Sequence, residues 1–402
     1  MTTTTGRARP AATGPEPGAG NGSGNESGNA PGSGRASRPV SAFSGRVALR
    51  VHRRTAGVCL SALLVTAVTL VVGLGVGAYP VAPAEVARAL FHGTGDPLAV
   101  HFVNQERLPQ AVLAALVGAA LGISGAIFQS ISRNPLASPD VVGFNSGAAT
   151  GAILVIVSLG GAAGAGAMAL GAIGGGLATA LVVFLLASRG GLHGVRLVLI
   201  GLGVTAMLGS VNSYLLTRSS LNNAQNAHVW LVGSLNGRGW SSVQMIALAL
   251  CVLLPATVLL GRQLRMLELG DELAYGLGVR VDRARLVLTV LGVGLCAVAV
   301  ASAGPIPFVA LAAPQIAVML TRSPGVSVLS AGAVGAALLS LAHLVSGQFF
   351  STLAEVGDRV AWLDLVDDTQ RNNLLPVGVT TAVLGGAYLA WILFRRRGTG
   401  SA

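Results

Sequence analysis

Read as apolar and polar positions, the chain is a series of long hydrophobic runs separated by short polar punctuation. The hydrocarbon core of a bilayer takes about 20 apolar residues in a helix. On that ruler ten runs qualify as spans, at 56–78, 109–129, 141–159, 165–187, 196–216, 243–260, 285–303, 307–320, 327–348 and 376–394. The eighth is short, and Gly304-Pro305 ahead of it predicts a break in the backbone. Residues 141–187 carry no charge, so the two helices there meet only lipid or one another. Small residues crowd 160–176, which lets backbones approach closely where no hydrophobic drive pulls helices together. The pattern predicts an all-α, polytopic membrane protein with one transmembrane domain over 56–397.

Composition sharpens this picture. Hydrophobic residues make up 52% of the 402 and charged residues 10%, against about 25% charged in a soluble domain; the mean hydropathy is +0.70. The net charge of +11 is carried by arginine alone. Those arginines form no basic face with interleaved aromatics, so nucleic acid is excluded as a partner. Without a lysine the chain can build neither a phosphate-binding Walker A loop nor a Schiff base, so any ATP hydrolysis must come from a partner. Cys59, Cys251 and Cys296 sit inside apolar runs without disulfide or zinc spacing and read as small buried hydrophobes. No catalytic residue, metal site or cofactor is expected.

Residues 1–55 open with a Gly-, Ser- and Pro-rich stretch that cannot bury a core, and read as a disordered cytoplasmic tail. The first apolar run is too long for the core of a signal peptide and reads as a retained helix. Arginine bias then orients the bundle. With the tail inside, the cytoplasmic loops hold Arg133, Arg189, Arg196, Arg262, Arg265, Arg280, Arg283, Arg285 and Arg322, and the end holds Arg395, Arg396 and Arg397. The opposite loops hold fewer: Arg88, Arg107, Arg218, Arg238, Arg359 and Arg371. Both termini are expected in the cytoplasm, on a multi-pass protein of the inner membrane.

Three polar or broken segments carry candidate mechanism. The cytoplasmic loop 261–285, GRQLRMLELGDELAYGLGVRVDRAR, sets Leu267, Leu269, Leu273, Tyr275 and Leu277 among charges and is too polar to span. It fits a short helical knob offered to a partner, or a helix lying on anionic lipid. Arg133-Asn134-Pro135-Leu136-Ala137-Ser138-Pro139-Asp140 reads as a tight structural connection. Ala303-Gly304-Pro305-Ile306-Pro307-Phe308, with Pro314 and Gln315 beyond, is a gate or lining candidate, because broken backbone at membrane depth must be buried in protein or line a wet route. Gln129, Asn145, Asn212, Gln315 and His343 in apolar runs read as helix–helix hydrogen-bonding groups. No carboxylate falls within a span, which argues against an ion-coupled carrier, for which His343 is the sole titratable candidate. No nucleophile–base pair suggests a membrane enzyme.

Several strings then line up in order: Arg107-Leu108-Pro109, GAALGISGAIFQ, RNPLASPDVVGFNSGAATGA, WLVGSLNGRGW from Trp230, LELGDELAYGLGVRVDRARL, AGPIPFVALAAPQIA and LPVGVTTAVLGGAYLAWILFRRR. In these the chain resembles the iron–siderophore and cobalamin permeases of ATP-binding-cassette importers, the FecCD type, over about 56–397. WLVGSLNGRGW, Ala313-Pro314-Gln315 and GGAYLAWIL lean toward its catecholate, ferric-enterobactin branch. The resemblance implies the type II importer permease fold of ten spans and a second permease subunit, here a paralogue. It also implies a cytoplasmic ATPase pair, an extracytoplasmic siderophore-binding protein and a ferric siderophore as cargo; cobalamin, heme or a hydroxamate complex would suit the same machine. In that frame Leu267, Glu268, Gly270, Asp271, Ala274, Leu277 and Gly278 form the element coupled to the ATPase. Arg107 matches a position that docks the binding protein. Other docking charges are missing: Gln110, His343 and Gly347 stand where the pattern has arginine, aspartate and arginine, and Leu374 replaces a glutamate. An extracytoplasmic insertion, 351–374, occupies the same region; it reads either as a tolerated insertion or as the source of a replacement for the lost docking arginine, with Arg359 and Arg371 as the candidates.

Overall fold

In a computed structural model the chain is described over residues 53–77, 79–140, 143–159, 164–188, 194–323, 325–359 and 374–397, so residues 1–52 of the expected tail and the stretch 360–373 lie outside the described residues. Among the described residues the fold is all helix. It runs α1 Arg53–Gly75, α2 Pro83–Phe91, α3 Pro97–His101, a π-helical turn Phe102–Arg107, α4 Leu108–Ser132, α5 Phe144–Leu159, α6 Ala165–Ser188 and α7 Gly194–Arg218. Then follow α8 Leu221–Val232, α9 Trp240–Leu259, α10 Gly261–Glu268, α11 Asp271–Gly276, α12 Val281–Ala303, α13 Val309–Thr321, α14 Val328–Arg359 and α15 Val377–Arg397. Seven of these helical stretches are long and apolar enough to cross a membrane, and α5, α13 and the apolar part of α15 are shorter. Together they fall on the ten runs read from the sequence.

The short helices between spans carry local signals. Asp96 accepts from the Leu98 N–H at 3.2 Å with Pro97 at the first helical position, and Ser220 accepts from the Asn223 N–H at 3.4 Å. α14 continues through Arg359, into the expected insertion 351–374. Its residues 351–356, STLAEV, contain no Gly or Pro and include good helix formers, so nothing local stops the helix there.

The centre of the bundle is α4, whose apolar window is 78% buried, whereas that of α7 is 6% buried. α1, α9, α12, α13 and α14 surround α4, while α5 packs on α6 and α7 beside α12. Close approach makes this possible. A Cβ on Gly125 would lie 1.7 Å from the Ala310 carbonyl oxygen of α13, and one on Gly118 would lie 2.3 Å from that of Gly335 in α14. The π-helical turn ahead of α4 ends at Arg107, whose guanidinium donates to the carbonyls of Leu74 at 2.9 Å and Tyr79 at 2.5 Å. This ties the end of α1 to the start of α4.

A side chain at Gly125 must therefore push two helix backbones apart. Gly125→Ala is expected to cost about 1–3 kcal/mol through overpacking, read as a clear drop in unfolding midpoint in detergent. Gly294→Ala, whose Cβ meets only Leu253 at 3.7 Å, is expected to leave the midpoint unchanged.

Candidate functional site

The loop 261–285 folds as a knob of two short helices, α10 and α11, joined where Gly270 takes φ +111 and closed where Gly278 takes φ +80. A side-chain-bearing residue is strained at those angles, so glycine fixes both corners. Leu264, Leu267 and Ala274 are buried against the bundle. Leu269, Leu273, Tyr275 and Leu277 point away, with exposures of 58%, 60%, 57% and 59%. The knob therefore has an inner apolar face that is packed and an outer apolar face that is bare.

Two of its acidic residues, Glu268 and Asp271, turn inward, while Glu272 is exposed. Glu268 accepts from the Ser130 hydroxyl of α4 at 2.6 Å and from the Val326 N–H, between α13 and α14, at 3.3 Å. Asp271 accepts from the Arg285 guanidinium of α12 at 3.0 and 3.2 Å, and from Arg133 at 3.4 Å. Arg285 is buried, so this pair would be costly to break from one side only. The Tyr275 hydroxyl donates to Asp282 at 3.1 Å, and that carboxylate holds the phenol pKa above its ordinary value. The seven residues expected to form the coupling element thus separate by position. Leu267 and Ala274 pack inward, Glu268 and Asp271 anchor, Gly270 turns the chain, and Leu277 and Gly278 stand on the surface. Ser130, Arg133, Arg285 and Val326 complete the anchorage, and sequence reading missed that role because it needs contacts from distant segments.

The second broken region lies at the start of α13. Gly304 has φ +78 and Phe308 φ +67, and Pro314 sits inside the helix. Gly304 packs against the Trp230 carbonyl, and Ser234 donates its N–H to Ala303 at 2.9 Å, so the loop after α8 holds the segment containing Pro305 and Pro307. Gln315 donates to the Gln129 side chain at 2.6 Å, and Gln129 donates to the Leu311 carbonyl at 3.0 Å. Asn212 accepts from Thr150 at 2.7 Å. Both pairs are the helix–helix hydrogen bonds expected from sequence. Asp140 departs from expectation. It lies outside any span in sequence, yet it accepts from Asn145 at 2.6 Å and faces the Phe308 backbone N–H, and Asn145 in turn meets Cys296 at mid-length of α12. A carboxylate thus does enter the bundle, carried by loop instead of helix. Among the cysteines, Cys296 is buried as expected, Cys59 is half-buried and Cys251 is exposed.

At the end of the bundle opposite the knob lies a cavity of about 340 Å³ between α1, α4 and α14. Arg107, Gln110, His343, Gly347 and Leu374 all line it, so the four departures from the docking pattern converge on one place beside the retained arginine. Of the other expected docking residues, Arg371 lies outside the described residues, and Arg359 closes α14 with its side chain outside the description.

Comparison with known proteins agrees with this architecture. A family profile described as the FecCD transport family matches residues 64–395. The chain is 41% identical to the ferric enterobactin transport system permease protein FepG of Escherichia coli, over 86% of this chain and 98% of that protein. It is 38% identical to the achromobactin transport system permease protein CbrC of Dickeya dadantii, over 88% and 95%. It is 34% identical to the hemin transport system permease protein HmuU of Yersinia pestis, over 77% and 88%. A solved inward-facing conformation of a metal-chelate type ABC transporter superposes with a TM-score of 0.68 at 25% identity, covering 85% of this chain and 99% of that one.

The division of the knob into inner and outer faces has a direct test. Leu267→Asp buries an unpaired charge and is expected to lower stability by about 3–5 kcal/mol, whereas Leu273→Asp, on the outer face, is expected to stay within about 0.5 kcal/mol. Thermal unfolding of the two purified variants in detergent distinguishes them.

Proposed function

The chain belongs to the FecCD transport family, and on that premise we propose that it is the permease subunit of an ATP-binding-cassette importer carrying ferric siderophores of the catecholate, enterobactin-like class. The observation that carries the cargo class is the 41% identity to a ferric enterobactin permease along almost that protein's whole length. The chain itself is not an enzyme. It crosses the membrane many times, and ATP is hydrolysed by a partner pair.

In this reading the outer face of the knob, Leu269, Leu273, Tyr275 and Leu277, docks on the ATPase. Its exposed apolar area suits burial against a partner, and its anchored acids make it move as one piece with the bundle. The knob end faces the cytoplasm and both termini lie there, as the arginine bias supports. The second permease is a paralogue that covers the bare face of α7. An extracytoplasmic binding protein delivers cargo at the opposite end, over the cavity beside Arg107, with Arg359 or Arg371 supplying further charge. Gly304, Pro305, Pro307, Pro314 and Gln315 mark the segment whose two packings open and close the route between subunits. No covalent step is required of this chain: a loaded binding protein docks, nucleotide binding moves the knob, and access alternates.

Cells lacking this subunit, supplied with radiolabelled iron bound to a catecholate or to a hydroxamate siderophore, test the assignment. Catecholate uptake alone is expected to be lost and to return with the intact gene. With Leu273→Asp, which opposes docking and leaves the fold intact, uptake is expected to stay at least about tenfold lower. Undiminished uptake of both complexes would overturn the siderophore assignment and leave heme or cobalamin as cargo.

A further inference from the structure

The motif Arg133–Asp140 was read from sequence as a tight connection, and the proposed function gives it no task. In the fold it joins the two regions described above. The last turn of α4 and the loop after it touch the knob on one side and the start of α13 on the other. On the knob side, Ser130 donates to Glu268 at 2.6 Å and Arg133 reaches Asp271 at 3.4 Å. On the α13 side, Gln129 donates to the Leu311 carbonyl at 3.0 Å and accepts from Gln315 at 2.6 Å, while Asp140 faces the Phe308 N–H. Gln129 and Ser130 are neighbours in one helical turn, so a shift of that turn moves both grips together.

The loop is built to be stiff. Pro135 and Pro139 fix two backbone angles, Asn134 accepts from the Leu136 N–H at 3.0 Å, and Ala137, Ser138 and Pro139 are buried. α13, by contrast, is short and bounded by left-handed residues, Phe308 at φ +67 and Arg322 at φ +49, with Gly304 at φ +78 beyond the first. Such a helix can tilt as a unit about its ends.

We propose that residues 129–140 are the connector by which displacement of the knob reaches α13, with Gln129 and Asp140 as its positioning residues. The inference rests on the permease reading above, and its test is independent of cargo. The complete transporter, with both permeases, the ATPase pair and the binding protein, is reconstituted with Cys59, Cys251 and Cys296 replaced by alanine. Val318→Cys then places a reporter on α13, and its maleimide labelling is timed with and without ATP and vanadate. Trapping is expected to change the labelling rate by about tenfold. Gln129→Leu combined with Asp140→Ala is expected to reduce that change to about twofold or less, with the amount of trapped nucleotide retained. Asp140→Asn alone keeps an oxygen facing the Phe308 N–H and is expected to keep the response. The proposal is overturned if the double variant responds like its parent, if the parent does not respond, or if trapped nucleotide falls in parallel with the response. Because no cargo enters the readout, a wrong siderophore assignment would leave it intact and show only in the uptake experiment.

Discussion

Within a bilayer no hydrophobic gain pulls one helix onto another, so this bundle depends on how near its backbones can come. Along α4 that nearness is set at Gly118 and Gly125, each seated against a carbonyl of a neighbouring helix. Dispersion between closely packed backbones is small per atom and large in sum. It also fixes where polar side chains can meet. Gln129 reaches α13 because Gly125, one turn earlier, has already brought the two helices together. The polar links are thus a consequence of the packing before they become a means of motion.

The same economy governs the broken segments. Interrupting a helix at membrane depth frees backbone donors and acceptors that lipid cannot satisfy. Here freed groups turn to other broken segments: the Ala303 carbonyl accepts from Ser234 in the loop after α8, and the Phe308 N–H faces Asp140. Irregular backbone is thereby concentrated where several elements cross. That is also where alternative packings of similar energy are available, because loop contacts can be exchanged with fewer losses than a whole helix face.

Much of this was legible in the sequence, and the reasons differ by feature. The ten apolar helices were readable because the length of a hydrophobic run is a local property with a fixed physical ruler. The position of the knob was readable from polarity, and its partner class from resemblance. The partition of the knob was not, since whether Leu267 or Leu269 faces inward depends on which side meets α4. The inward turn of Glu268 and Asp271 needed Ser130 and Arg285, more than a dozen residues away in sequence or far beyond. Asp140 was misjudged because composition shows which segments span, and a loop that folds back among helices leaves no apolar run to betray it. The continuation of α14 past 350 was not legible for a different reason: a resemblance marks extra residues there without giving their conformation.

Two of the knob's carboxylates, Glu268 and Asp271, are held within its own subunit, while Glu272, Arg262 and Arg265 stay exposed, and this bears on how such machines diversify. On the proposed docking, a surface that meets its partner mainly through leucines and a tyrosine, with Glu268 and Asp271 held behind it, demands shape from that partner before electrostatic matching. Recognition of that kind is forgiving. One ATPase could then serve several permeases, and a duplicated permease could change its cargo without waiting for a matching change in the motor.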